Sequence, residues 1–388
     1  MVMRRAVGSS SLMSKLLNHS ARSSRGLNSS LGVCSSFASY SAIDSERSDG
    51  EFANINWDDL GFRAIPTDYT YVMKCSLGDK FTYGSLNPYG NIELSPAAGI
   101  LNYGQGVFEG LKAYRRSDDQ GFLLFRPEEN AVRMQMGAER MCMPSPNVNQ
   151  FVHAVKQTVL ANKRWIPPQG KGSLYIRPML MGSGPALGVA PAPEFTFLVY
   201  AAPVGTYFKD GFAPINLLVQ DEIHRATPGG TGGVKAIINY AAVLKAQMIA
   251  KNRGFNDALY IDSLNKKYLE EASSSNIFIV KGNVILTPIA QGTILPGITR
   301  RSIIELGRVC GYQVEERLVA IEEIMDADEV FCTGTAIGVS PVGSITYQEQ
   351  RFEYKTGPDT VTQKLYKSLT AIQTGVVEDK MGWTVNVD

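Results

Sequence analysis

The chain reads as a mixed α/β protein, with both α/β and α+β character, built as two domains. At 388 residues it is too long for one ordinary core and fits two, with enough material to bury a deep cleft between them. Short apolar or β-branched runs alternate with turn residues, and the convincing helices come later. The stretch from Pro203-Val204-Gly205 through Asp210-Gly211 has the Gly and Pro punctuation of an interdomain connection. The expected boundaries are an N-terminal segment 1–50, a smaller domain 51–202, a connection 203–211 and a larger domain 212–388.

In chain order, the first segment carries Arg4, Arg5, Lys15, Arg22 and Arg25, many serines, and no acid before Asp44. That is the composition of an organelle transit peptide rather than of ordinary disorder, which includes glutamate. The early arginines slightly favour a mitochondrial address and the serines suit a plastid one, so the organelle stays open. An acidic linker runs from Asp44 to about Glu51. Asn91–Leu94, behind Tyr89-Gly90, reads as a strand leaving a tight turn, and Leu123–Phe125 as a second strand. Arg126-Pro127 introduces a helix from about Glu128 to Met141, since Pro is at home in a first turn. Phe151, Val152, Val155, Val159 and Leu160 recur at helical spacing, and Ser173–Pro178 and Phe195–Ala201 return to strand.

Beyond the connection, Ile215–Val219 reads as strand. The stretch from Asn239 to about Asn252 reads as a helix ending before Gly254, a C-terminal glycine cap. Leu259–Ile261 is a strand, and Ile277–Val280 joins Val284–Leu286 through Lys281-Gly282-Asn283 as a hairpin. Arg301–Val309 is helix-like, with Thr299 placed to cap it. Val361, Leu365, Leu369 and Ile372 mark a late helix.

Composition narrows the chemistry. The formal charge is +1, so no nucleic-acid or acidic-membrane partner is implied. No run reaches the roughly 18 apolar residues of a spanning helix. The five cysteines lack CxxC spacing, and the three histidines lack metal-ligand or triad context, so neither a metal site nor histidine chemistry is expected.

Attention falls on Lys235, in Gly229-Gly230-Thr231-Gly232-Gly233-Val234-Lys235, and on Glu271 in Leu269-Glu270-Glu271-Ala272. The glycines strip side chains from around one amine, which lets a flat ligand approach the backbone. An amine in a partly desolvated pocket is nucleophilic and suits a Schiff base with a carbonyl cofactor. A phosphate loop is one competing reading, but it needs Gly directly before the lysine and Ser or Thr directly after, where Val234 and Ala236 stand; the other is a surface turn whose glycine run is structural and whose lysine is solvated. Leu295-Pro296-Gly297-Ile298-Thr299 ahead of a helix supplies either an anion site at the helix N-terminus or merely a loop and a cap. Phe331-Cys332-Thr333-Gly334-Thr335-Ala336 runs a strand into a hydroxyl-lined turn that could hold phosphate, a carboxylate, or neither.

Together these segments resemble the branched-chain amino-acid aminotransferases, pyridoxal-phosphate enzymes of fold type IV, most closely their plant form. The resemblance runs from about Trp57 to Trp383. It includes Tyr103-Gly104-Gln105-Gly106-Val107-Phe108-Glu109-Gly110, Leu124-Phe125-Arg126-Pro127, Gly137-Ala138-Glu139-Arg140 and Ser173-Leu174-Tyr175-Ile176-Arg177-Pro178, besides the Lys235, Glu271 and Leu295–Thr299 segments. It implies that Lys235 binds pyridoxal 5'-phosphate covalently and shuttles the substrate's α-proton, with Glu271 beside the pyridine nitrogen and Tyr240 on the ring oxygen. Arg133, Ile298, Thr299 and Thr335 would hold the phosphate. Tyr103, Phe108, Tyr175 and Arg177 would line the substrate pocket, and the Thr335-Ala336 turn would take the α-carboxylate.

The activity implied is ping-pong transamination between leucine, isoleucine or valine and 2-oxoglutarate, in a homodimer whose partner subunit helps close an interdomain cleft. Ile237-Ile238 depart from bacterial relatives, which tend to have glycines there, and put the pocket floor and substrate preference in doubt. The direction of the reaction in the cell, synthesis or degradation, is not legible. Rival readings with the same fold are a D-amino-acid transaminase and an aminodeoxychorismate lyase; a protein that only holds the cofactor is the rival from another class.

Overall fold

The structure, a computed structural model, describes residues 52–205 and 213–387; the expected transit segment, its acidic linker and most of the 203–211 connection lie outside them. In chain order the first elements are β1 (Tyr69–Ser76), β2 (Ser85–Pro88), α1 (Gly99–Tyr103), β3 (Gly106–Phe108) and β4 (Leu111–Arg115). Then come β5 (Phe122–Phe125), α2 (Pro127–Arg140), α3 (Val148–Ala161), β6 (Ser173–Gly182) and β7 (Glu194–Val204). The second half holds β8 (Ile215–Gln220), α4 (Ile238–Asn252), β9 (Asp257–Ile261), β10 (Leu269–Ala272), β11 (Asn276–Lys281), β12 (Val284–Pro288) and α5 (Ile298–Val309). It ends with β13 (Gln313–Arg317), β14 (Glu329–Gly334), β15 (Gly338–Tyr347), β16 (Gln350–Glu353), α6 (Val361–Gln373) and β17 (Thr384–Val387).

The first sheet runs β17-β5-β4-β6-β7-β1-β2, with β3 also on β6. On β1 the buried Tyr71, Met73 and Cys75 alternate with more exposed neighbours, the period-two pattern of a half-buried strand. The strand expected at Asn91–Leu94 is not formed; β2 lies just before it and pairs Tyr69 with Pro88. All four β2 residues are exposed, so this edge strand is held through its backbone and leaves no hydrophobic pattern to read. Helices α2 and α3 cover one face of the sheet, burying Met134, Ala138, Phe151, Val155 and Val159 against it. Asn147 and Gln150 form a reciprocal capping box that starts α3.

The second sheet runs β10-β9-β8-β15-β14-β11-β12-β13, with β16 on β15. A further pair, Glu271 opposite Asn276, joins β10 to β11 and closes six of these strands into a ring. Inside the ring pack Leu217, Leu259, Ile277 and Val342. Helix α4 lies outside on Leu218, Ala258 and Tyr260. Helices α5 and α6 cover the opposite flank, where Phe278 and Phe331 sit opposite each other on β11 and β14 and stack at 4.9 Å.

Leu365, Leu369 and Ile372 are the buried stripe of α6, each stabilising by about 1.5–3 kcal/mol. The start of α6 is held by a strand, because the Glu329 carboxylate of β14 accepts from the Val361 and Thr362 amides at 2.9 and 3.0 Å.

One strand crosses the expected division of the chain. Thr384–Val387, placed with the larger domain on sequence, pairs with β5 and extends the first sheet. Trp383 packs edge-on against Phe125 within a core that also contains Leu365 and Leu369, so the two sheets share apolar contacts. Four residues without a turn signal or a long apolar run cannot announce so distant a partner.

Candidate active site

A cavity of about 470 Å³ opens between the two sheets. Phe108, Arg133, Tyr175 and Arg177 reach it from the first half of the chain; Lys235, Tyr240, Glu271, Ile298, Thr299, Thr335 and Ala336 reach it from the second. The structure thus brings together every residue singled out from the sequence except Tyr103. That side chain lies half exposed at the end of α1, away from the cavity lining, and its hydroxyl donates to the Leu187 carbonyl.

Lys235 is placed by backbone pairing rather than by a helix. The Phe108 amide donates to the Lys235 carbonyl at 3.1 Å, and the Ile237 amide to the Gly106 carbonyl at 3.0 Å, clipping β3 to the segment that leads into α4. This brings Lys235 Nζ to 4.7 Å from the centre of the Phe108 ring, and Nζ donates to the Tyr240 hydroxyl at 2.9 Å. Asn239, unnoticed in the sequence, holds the loop by donating to the Thr231 and Val234 carbonyls at 2.8 and 2.9 Å.

The glycine run has a different role from the expected one. A Cβ on Gly232 would lie 2.6 Å from the Thr293 carbonyl oxygen, and one on Gly233 would lie 2.9 Å from that of Gly292. None of the four glycines lines the cavity. Gly232 and Gly233 admit a neighbouring loop, not a flat ligand, and Gly229 serves a turn at φ +80°. The bulk of Ile237-Ile238 is likewise accommodated: Cβ atoms at Gly106 and Gly104 would meet Ile237 Cδ1 at 2.6 Å and Ile238 Cγ2 at 2.1 Å. Only Ile237 reaches the cavity wall.

Glu271 sits where the ring of strands closes. Its carboxylate accepts from Asn276 Nδ2 at 3.0 Å and from the Leu295 amide at 2.7 Å. It also pairs with Arg225 at 2.9 Å, both side chains only 2% exposed. Burial pushes its carboxyl above the ordinary range, while the Arg225 charge and the Leu295 amide pull it back down. Glu270, next in the chain, is buried but lies off the cavity, as strand alternation requires. Arg225 and Asn276 were missed in the sequence, where nothing marks their proximity to position 271.

The anion-binding end is built on α5. Gly297 is its N-cap, and a Cβ there would lie 2.0 Å from Asn276 Oδ1, so glycine is required for the helix to start beside Glu271's partner. Thr299 is therefore inside the first turn, not the cap expected. Ile298 and Thr299 present the positive end of the helix to the cavity. Arg133, on α2, is buried: Nε and Nη2 donate to Glu109 at 2.8 and 2.7 Å, and Nη1 to the Pro296 carbonyl at 3.1 Å.

On β6, Tyr175 and Arg177 share one face, with the Arg177 guanidinium 4.7 Å from the Phe108 ring centre and 5.4 Å from that of Tyr175. Arg177 Nε and Thr333 Oγ1 line the cavity, buried and without a hydrogen-bond partner among the described residues. An amine, a buried carboxylate, a helix N-terminus and orphaned donors around one void fit a phosphorylated aromatic carbonyl compound.

The comparisons with known proteins agree. The model of the class IV amino-transferases matches residues 106–345. A chloroplastic branched-chain amino acid aminotransferase 2 of Humulus lupulus is 67% identical, over 87% of this chain and 83% of that one. A mitochondrial branched-chain amino acid aminotransferase 1 of the same plant is 60% identical, over 98% and 96%. Among solved structures, the branched-chain amino acid aminotransferase of Escherichia coli superimposes with a TM-score of 0.71 at 28% identity, covering 83% of this chain and 100% of that one. The chain belongs to the class IV aminotransferases, within the branched-chain amino-acid aminotransferases, a pyridoxal-phosphate-dependent family.

Proposed function

We propose that this chain transfers the amino group between branched-chain L-amino acids and 2-oxoglutarate in a ping-pong cycle at this cavity. The observation that carries the reading is the convergence of Lys235 Nζ, the buried Glu271–Arg225 pair and the start of α5 on a single void walled by both sheets. A solved T.th. branched-chain amino acid aminotransferase contains pyridoxamine 5'-phosphate. Pyridoxal phosphate supplies the carbonyl that condenses with amines and a ring that accepts electrons. Lys235 Nζ would hold the cofactor through its carbonyl carbon and would be the base that carries the substrate's α-proton from Cα to that carbon, across the nitrogen between them. Tyr240 Oη, 2.9 Å from that amine, orients it. Glu271 keeps the ring nitrogen protonated, and Arg225 keeps Glu271 ionised.

Arg133, Ile298, Thr299 and Thr335 would hold the phosphate, and the Thr335-Ala336 turn the substrate carboxylate. Phe108, Ile237 and Tyr175 offer apolar wall to aliphatic side chains, while Arg177 serves the distal carboxylate of glutamate. Tyr103, off the cavity of this chain, stands as the weakest of the substrate-pocket assignments.

Removing Arg225 tests the electrostatic part of this scheme. In Arg225→Met the Glu271 carboxyl rises further, so the acid limb of the kcat profile should move to higher pH and part of the lost rate should return in alkali. A buried carboxylate whose folded value lies above its unfolded one costs stability as pH rises through that window. The variant's loss of roughly 3–5 kcal/mol should therefore be smallest in acid and largest at neutral pH and above, as Tm against pH will show.

The substrate range is tested by assaying L-leucine, L-isoleucine, L-valine, L-methionine, D-alanine and aminodeoxychorismate in parallel. A methionine aminotransferase of Arabidopsis thaliana is 51% identical over 88% of this chain. Preference for one of the three branched-chain substrates is expected; activity with only D-alanine or aminodeoxychorismate overturns the reading.

We further infer two domains, 51–202 and 212–388 apart from β17, a homodimer, and an organellar address with the mitochondrial matrix favoured over the plastid stroma. The mitochondrial relative from Humulus lupulus matches 382 residues and so takes in most of the first fifty positions, against matches of 338 and 348 residues to two chloroplastic relatives. Imaging residues 1–51 fused to a fluorescent protein distinguishes the two organelles.

A further inference from the structure

Lys112 belongs to none of the roles above, yet its position is specific. On β4 it stands opposite Tyr175 of β6, so the two side chains share the sheet face that carries Tyr175 and Arg177 to the cavity. From there Lys112 Nζ donates a 3.1 Å hydrogen bond to the Ala336 carbonyl. Ala336 lies in the tight turn between β14 and β15, closed by the pairing of Gly334 with Gly338. In a trans peptide the carbonyl and the next N–H point in opposite directions. A cation that pins Ala336 O therefore turns the Ile337 amide to the other side of the turn.

Beside Lys112 a void of about 20 Å³ shares Ile298, Thr299, Gly334 and Thr335 with the main cavity, and among the described residues no acid lines it. Among the described residues no ion pair neutralises this ammonium.

We propose that Lys112 is a positioning residue for the substrate's α-carboxylate: its ammonium clamps the Thr335-Ala336 turn and supplies the positive charge that balances the carboxylate received there. This rests on the reading of that turn as the carboxylate's seat. Burial, with no carboxylate to offset it, pushes the Lys112 ammonium down to about 8. The titratable groups nearest it are phenols: Tyr114 on its own strand, Tyr175 on β6, and Tyr366, which faces Tyr114 from α6. Burial pushes the Tyr114 hydroxyl well above the ordinary tyrosine range.

The test uses the holoenzyme and two competitive inhibitors, 4-methylpentanoate and its uncharged amide, neither of which carries an amine. In Lys112→Met the inhibition constant of the acid should rise about tenfold, that of the amide should hold, and kcat with leucine should stay within about twofold. In the wild type the acid should bind more weakly above about pH 8, and in Lys112→Arg it should stay tight to about pH 10. Equal weakening of acid and amide, an unchanged constant for the acid, or the same alkaline loss in Lys112→Arg overturns the proposal. Wild-type turnover of leucine reports separately on the aminotransferase reading.

Discussion

Lys235→Ala is expected to abolish transamination, lowering the rate of the half-reaction with leucine by more than about 10⁴-fold. The single amine has two tasks, holding the cofactor's carbonyl and moving the α-proton, and among the described residues no other lysine or histidine lines the cavity to take over either. Its surroundings are arranged for that double use. Phe108 and Tyr240 lie against Nζ at ring-centre distances of 4.7 and 5.2 Å, and the Tyr240 hydroxyl accepts its hydrogen bond. Backbone pairing to β3 fixes the segment, so truncation of the side chain leaves the loop in place. The variant should fold with a near wild-type Tm, bind free cofactor weakly and show no borohydride-stable label. Turnover within tenfold of wild type would falsify the role.

Glu271→Ala is the next most damaging change expected. Two unit charges about 4 Å apart attract by roughly 4 kcal/mol at an effective dielectric of about 20, which corresponds to roughly a 10³-fold loss of turnover if the ring nitrogen loses its counter-charge. Cofactor should be partly retained, because the start of α5 and Lys235 are untouched. Stability suffers for a separate reason: Arg225, 2% exposed, is left as a buried cation without its carboxylate, at a cost of about 3–5 kcal/mol. The two effects separate in the double variant Glu271→Ala/Arg225→Met. Removing both charges should recover much of the Tm and none of the turnover. A double variant that regained activity would point to a structural role alone.

What could be read from the sequence was local. Lys235 and the start of α5 stood out from adjacent residues, an amine beside a glycine-rich turn and a helix start with Pro-Gly before it, although Gly297 and not Thr299 is the cap; the roles of the other site positions were legible only through the resemblance. Some strands of the ring announced themselves through unbroken apolar runs such as Ile277-Phe278-Ile279-Val280, all four fully buried, while β15, with Gly and Pro among its residues, and the acidic β10 did not. Arg225, Asn276 and Glu109 stayed hidden because each matters only through a partner that folding supplies: Glu271 for the first two, Arg133 for the third.

The glycine run was misread for the same reason. Its chemical meaning depends on what stands next to it, and that is the backbone at Thr293 and Gly292 rather than the cavity. Strands β2 and β17 escaped because each is only four residues long and holds its place mainly by backbone pairing at a sheet edge.

The central claim is that the Lys235 amine is the covalent seat of the cofactor. Reducing the purified holoenzyme with borohydride and mapping the labelled peptide by mass spectrometry addresses it directly. The account predicts one pyridoxyl group per chain on the peptide containing Val234-Lys235-Ala236; a label on another lysine, or none after incubation with pyridoxal phosphate, contradicts it.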